Sequence, residues 1–252
     1  MSTYHLIIFL FTLLVSLTGA LSPTLVTRDT RQYKSCSEAP SQSGVYTISL
    51  ANGYPPFPAY CEQQKYGGGW LVFQNRYDGS VGFNRSWDEY KQGFGYMEQE
   101  FWLGLERIHQ ITVAREHKLL IVIENFTDFS AHEIYPGFRV EDETTNYTLR
   151  LSNEEYSYHG TARDSFWVYR NEPFSTYDRI NDKSILDCSI LTGSGHWHYD
   201  CGTGYKSSNL NGEYSRSVLG GRRGIWWGAF GGQQLPLRKT RMMIKVGEDG
   251  EK

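Results

Sequence analysis

Between Glu154 and Gly231 the chain shows no helical or strand periodicity, yet it is dense in glycine and aromatic residues. Within a compact domain such a segment is usually where ligands bind. The whole chain shares the bias: 7 Trp, 18 Tyr and 13 Phe stand beside 26 glycines. That balance predicts many short elements joined by tight turns and packed by large flat side chains. Inside the irregular stretch lies "CSILTGSGHWHYDC", residues 188–201, bounded by two of the chain's four cysteines.

Whether those cysteines are bonded depends on compartment. Leu6 to Leu17 is an apolar run too short to span a bilayer, and Thr18, Gly19 and Ala20 follow it as small residues suited to signal cleavage. We therefore expect a signal peptide over 1–20, a short polar segment over 21–34, and one extracellular domain over 35–248. Secretion favours disulfides. Four cysteines allow three connectivities, and proximity in sequence favours Cys36 with Cys61 and Cys188 with Cys201. Zinc is disfavoured by the oxidising compartment and the lack of a C-x-x-C pair. Three sequons, at Asn84, Asn125 and Asn146, suit the secretory route, with Asn146 best placed in the polar run "EDETTNY".

A net charge of -3 provides no basic footprint for nucleic acid or an anionic membrane. Periodicity predicts strands over 44–50, 70–74 and 117–126, a hairpin over 138–152, and helices over 86–94, with Ser86 as cap, and 101–112. Catalytic patterns are missing. His196 and His198 form an H-x-H without an identifiable third metal ligand. No nucleophile elbow occurs, Glu154 and Glu155 would face opposite ways on a strand, and "YGGGW" lacks the Lys-Ser/Thr of a phosphate loop. We expect a protein that is not an enzyme.

The segments "SGVYTISL", "YGGGWLVFQNRYDGSVGFNRSWDEYKQGFG", "EFWLGLERIHQIT", "HGTARDSF", "FSTYDRIND", "SSNLNGEY", "GIWWGAF" and "LRKTRMMIKV" fall in order across residues 35–246. Together they resemble the fibrinogen C-terminal-like domain of fibrinogen chains, ficolins, tachylectins, angiopoietins and invertebrate fibrinogen-related proteins. The resemblance implies an α+β fold with a small N-terminal subdomain, a central antiparallel sheet with helices, and an irregular C-terminal subdomain bearing the ligand pocket. It implies the 188–201 disulfide and a cis peptide between Asp200 and Cys201.

The family's calcium site would fall on Ile180 and Asp182, with carbonyls from Ser184 and Leu186. Ile180 offers no side-chain oxygen, so even with Asp178 nearby weak or absent calcium binding is expected. The acetyl-sugar pocket positions are here Thr192, Gly202, Gly221 and Arg222, none of them the family residue.

Two partner classes remain. One is a lectin-like pattern-recognition molecule of innate immunity that binds glycans or microbial polymers. The alternative is a protein-binding ligand, receptor-directed like the angiopoietins or peptide-capturing like clotting modules. No coiled coil or collagen-like repeat precedes the domain, which tilts the expectation to a lectin that gains avidity as a homo-oligomer. The expected site comprises Arg222, Arg223 and Lys206 as donors to an anionic glycan, His198 or Tyr205 as stacking platforms, and the turn Asp200, Cys201 and Gly202.

Overall fold

The computed structural model describes residues 31–154, 157–201 and 204–247. The signal peptide, residues 21–30 of the polar segment, Glu155 and Gly202 lie outside the described residues. The chain opens with β1 (Gln32–Tyr33), which runs parallel to β2 (Gly44–Ile48); β2 pairs antiparallel with β3 (Phe57–Glu62), and β3 with β4 (Trp70–Arg76). Cys36 is bonded to Cys61 with a Cα separation of 5.4 Å, closing this first layer.

Next comes α1 (Trp87–Gln92). It starts where expected, since Ser86 accepts from the Glu89 amide while the Glu89 carboxylate takes the Ser86 amide, a reciprocal capping box. Two short strands, β5 (Phe94–Gly95) and β6 (Phe101–Trp102), follow before α2 (Leu105–Ala114). The helix predicted from residue 101 therefore begins later: Phe101 and Trp102 pair with Asn75 and Gln74 of β4, and Gly104, at φ 112°, breaks the chain into the helix.

β7 (His117–Asn125) and β8 (Ser130–Val140) form a long antiparallel pair around a turn held by Asn125, whose Oδ1 accepts from the amides of Thr127 and Phe129. The hairpin expected over 138–152 is the pairing of the end of β8 with β9 (Leu149–Arg150), so β8 starts eight residues earlier than periodicity suggested. Pro136 and Gly137 mask its alternation. Gly137, at φ 67°, makes the bulge at which the β7 register shifts, and a Cβ there would lie 2.9 Å from the Ser152 amide nitrogen.

Three short elements, β10 (His159–Gly160), α3 (Cys188–Thr192) and the pair β11 (Ser208–Asn209) with β12 (Trp226–Trp227), carry the irregular region. The chain ends in β13 (Leu237–Val246), inserted between β4 and β7 at the centre of the sheet, whose order is β1-β2-β3-β4-β13-β7-β8-β10. β3 and β13 were not anticipated by periodicity. The α+β fold with a central, mainly antiparallel sheet is as the resemblance implied.

The irregular region finds its core in aromatic contacts. Trp102 sits 5.7 Å edge-on to Phe73 of β4 and 5.4 Å from Tyr90 of α1, Tyr90 is 5.0 Å from Phe174, and Phe174 is 5.1 Å from Trp197 of the 188–201 loop. All five rings are fully buried. Sheet, helix and loop thus share one core, and the flat rings provide the area that regular elements would otherwise supply.

Candidate functional site

The 188–201 loop is built inward. Cys188 begins α3, Gly193 ends it in the left-handed region, and Cys201 returns to bond Cys188 with a Cα separation of 5.0 Å. Between them the loop is held by side-chain amides from the "SNLNG" segment. Asn209 accepts from the Ser194 hydroxyl at 2.8 Å and donates to the Arg222 carbonyl at 3.1 Å, and Asn211 donates to the Gly195 carbonyl at 2.9 Å. Gln74 of the central sheet donates in turn to the Leu210 carbonyl at 2.9 Å. These buried bonds satisfy backbone that no ladder reaches. Two loops, 188–201 and 220–223, converge on them.

Trp197, His196 and His198 of the loop face this interior, whereas Tyr199 turns outward. Trp197 is fully buried and donates through Nε1 to the Tyr147 carbonyl at 2.8 Å. His198 is 5% exposed, with Nε2 3.2 Å from the Ser194 carbonyl, so it has no open face for a ligand to stack on. His196 packs 4.7 Å from the Tyr169 ring and 5.5 Å from His198. Burial disfavours the imidazolium and lowers the pKa of His196 to about 3 and that of His198 to about 4, so both are neutral at physiological pH. The reading of His198 as a stacking residue is corrected on that ground.

The expected donors are largely engaged. Arg222 donates through Nη1 to the Cys201 carbonyl, and Arg223 pairs with Glu213 at 3.6 Å. A cavity lined by Arg222 and Trp226 has a volume of about 10 Å³, room for about one water. Thr192 is buried, with its hydroxyl donating to the Cys188 carbonyl, so it walls no open pocket. Tyr205 remains half exposed, its hydroxyl 3.4 Å from Arg163, and Lys206 and Asp200 are exposed beside it. No cis peptide occurs among the described residues, so the expected cis bond from Asp200 to Cys201 is corrected. Cys201 itself, at φ 52°, makes the turn instead.

The positions expected for calcium offer few free side-chain oxygens. Asp178 Oδ1 accepts from the Trp87 amide at 2.9 Å and the Thr176 hydroxyl at 2.7 Å, which commits it to the start of α1. Ile180 is 40% exposed and brings no oxygen. Asp182 is half-buried, with Oδ1 taking the Ser184 amide at 3.2 Å; burial raises its pKa. Among the described residues, the acidic, histidine and cysteine side chains close enough to share an ion are Asp182, Cys188 and Cys201, and both sulfurs are bonded to each other. Asp182 Oδ2 is buried without a hydrogen-bond partner, and with the expected Ser184 and Leu186 carbonyls it supplies only part of the six to eight oxygens calcium takes.

The outward face is aliphatic. Ile185 is 99% exposed, Leu186 53%, Ile190 53% and Tyr199 46%. The disulfide holds them together, since residues 185–190 flank Cys188 and Tyr199 lies two residues before Cys201. These residues were missed in the sequence because attention went to rings and charges. Their signal was present in "DKSILDCSIL", where aliphatics recur in a short polar stretch at and before the five-residue α3.

The sequons also sort by position. Asn84 is exposed, whereas Asn125 is 5% exposed and Asn146 is half-buried, its Oδ1 accepting from Arg179 at 2.7 Å. By exposure Asn84 is better placed for a glycan than Asn146, which composition favoured, and Asn125 is the least accessible of the three.

Comparison with known proteins agrees with this architecture. The family described as the C-terminal globular domain of fibrinogen beta and gamma chains matches residues 27–246. Mouse angiopoietin-related protein 6 is 39% identical over 227 residues, covering 87% of this chain and 48% of that protein. Human ficolin-3 is 39% identical over 217 residues, covering 84% and 70% respectively. The chain spans about half the length of the angiopoietin-related relatives. Among solved structures, the fibrinogen-like globe domain of human ANGPTL6 superposes with a TM-score of 0.78 at 38% identity, covering 86% of this chain and 96% of that one. Lamprey fibrin D-dimer, complexed with the peptide Gly-His-Arg-Pro-amide, gives 0.77 at 28%, covering 90% and 79%. Sequence, topology and both disulfides lead to one conclusion: the chain belongs to the fibrinogen C-terminal globular domain family.

Proposed function

We propose that this is a secreted, non-enzymatic recognition domain that binds a protein partner through the face around the Cys188–Cys201 disulfide. The carrying observation is the exposed cluster of Ile185, Leu186, Ile190 and Tyr199, set on a disulfide-braced loop whose polar rings point inward. A sugar needs a cleft with directed donors; an aliphatic surface on rigid backbone suits the apolar centre of a protein interface. The similarity to angiopoietin-related protein 6 supports the same class, as does a solved relative holding a peptide. This reverses the order expected from the sequence, where a lectin came first; ficolin-3 keeps the glycan reading in second place, with Tyr205, Arg163 and Lys206 as its exposed polar edge.

The test is binding of the labelled secreted chain to cell surfaces. Protease treatment of the cells should abolish binding and glycan removal should spare it, and Ile185→Asp with Ile190→Asp should weaken it at least tenfold. Saturable binding on a glycan array, unchanged in that double variant, would establish the lectin instead.

A further inference from the structure

Where β2, β4, β13 and the start of β7 meet the last turn of α2 lies a cavity of about 90 Å³. Its walls are aliphatic and include Ile48, Leu71, Ile111 and Ile244, all buried. Its charged lining has one sign: Lys34, Arg115 and Lys245. No carboxylate is among the lining residues. A void bounded by hydrocarbon holds apolar atoms and rejects a bare ion. Cations around it select an anion for the ligand's polar end.

The cations are placed by structure. Lys245 lies on β13 and donates to the Gly68 carbonyl at 3.0 Å, which uses one of the three donors of an ammonium. Arg115 follows α2 directly, so its charge offsets the negative end of that helix. His117 is held neutral by burial, its Nδ1 donating to the Arg115 carbonyl at 2.7 Å, and adds no charge of its own.

We propose that this cavity binds a small amphiphilic carboxylate, its hydrocarbon chain among the isoleucines and its head between Lys34, Arg115 and Lys245. The volume, below the roughly 150 Å³ that holds benzene, suits a chain of about three to four carbons. None of these residues belongs to the face around the 188–201 disulfide, so the site stands apart from the protein-binding reading.

Butanoate is the probe, with calorimetry on the secreted chain as readout. Saturable one-to-one binding is expected, at least tenfold tighter than butan-1-ol or butyltrimethylammonium. Lys34→Ser with Arg115→Ser, both exposed positions, should erase the preference over butan-1-ol. Ala114→Trp, at the exposed mouth, should block both. Absence of saturable butanoate binding, equal affinity for the alcohol in the native chain, or binding unaltered by all three substitutions would overturn the proposal.

Discussion

At the scale of single residues, Glu133 stands out. It lies on β8 with 1% exposure, and its Oε2 has no hydrogen-bond partner. Burial, and secondarily the neighbouring Asp164 carboxylate, push its pKa up to about 7. A carboxyl raised in the folded state binds its proton there while the unfolded chain has already lost it. Its contribution is therefore full below the unfolded value of 4.5 and lost as pH rises through about 7. Denaturant titrations at pH 5.5 and 8 should show Glu133→Gln reducing the loss of stability on going alkaline, by on the order of 2 kcal/mol. An identical pH profile in the variant would contradict this. The sequons divide on the same logic of environment. Asn84→Gln should remove a glycan mass from secreted material, visible by mass spectrometry. Asn125→Gln should remove none but cost about 1–3 kcal/mol, because its Oδ1 serves the Thr127 amide and hydroxyl and the Phe129 amide.

Among elements, α1 is the most tightly specified. Six residues are too few for a helix to persist alone, so its ends must be supported. Ser86 and Glu89 form the capping box, and Asp178, distant in sequence, takes the Trp87 amide. Ser86→Ala should cost about 1 kcal/mol. Asp178→Ala should cost a similar amount, and the double variant should depart from the sum, since both act on one helix end. Thermal denaturation of the four proteins of that cycle measures the coupling. The same bond explains why Asp178 serves the fold and not an ion. Melting temperatures in millimolar calcium and in chelator should therefore coincide, and a shift of several degrees would refute the assignment.

For the whole molecule, the two disulfides brace opposite parts. Cys36–Cys61 closes a separation of 25 residues in the first sheet layer, and Cys188–Cys201 one of 13 under the exposed aliphatic face. Loop-closure entropy predicts about 3.5 and about 3 kcal/mol respectively. Replacing Cys188 and Cys201 together with Ser should lower stability by about that amount and reduce cell binding by more than stability alone explains, because Ile185, Leu186, Ile190 and Tyr199 would lose their shared anchor. Binding that survives at full strength in a folded double variant would place the interface elsewhere.

What could be read along the chain was what depends on neighbours in sequence. The capped helix at Ser86, the β7 run of aliphatics, the cysteine pairing by proximity and the family resemblance all rest on local pattern. β13 escaped because a central strand buried on both faces shows no alternation: Met242, Met243 and Ile244 are consecutive and all buried. The exposed aliphatic face escaped for a related reason. Sequence shows that a loop holds Trp, His and aliphatic residues, but which of them faces water depends on what packs beneath. Here Phe174, Tyr169 and Tyr147, from segments before the loop, claim Trp197 and His196, and Asn209 and Asn211, from after it, claim the backbone. Buried area and satisfied hydrogen bonds draw the rings inward, and tertiary packing alone leaves Ile185 and Ile190 outside.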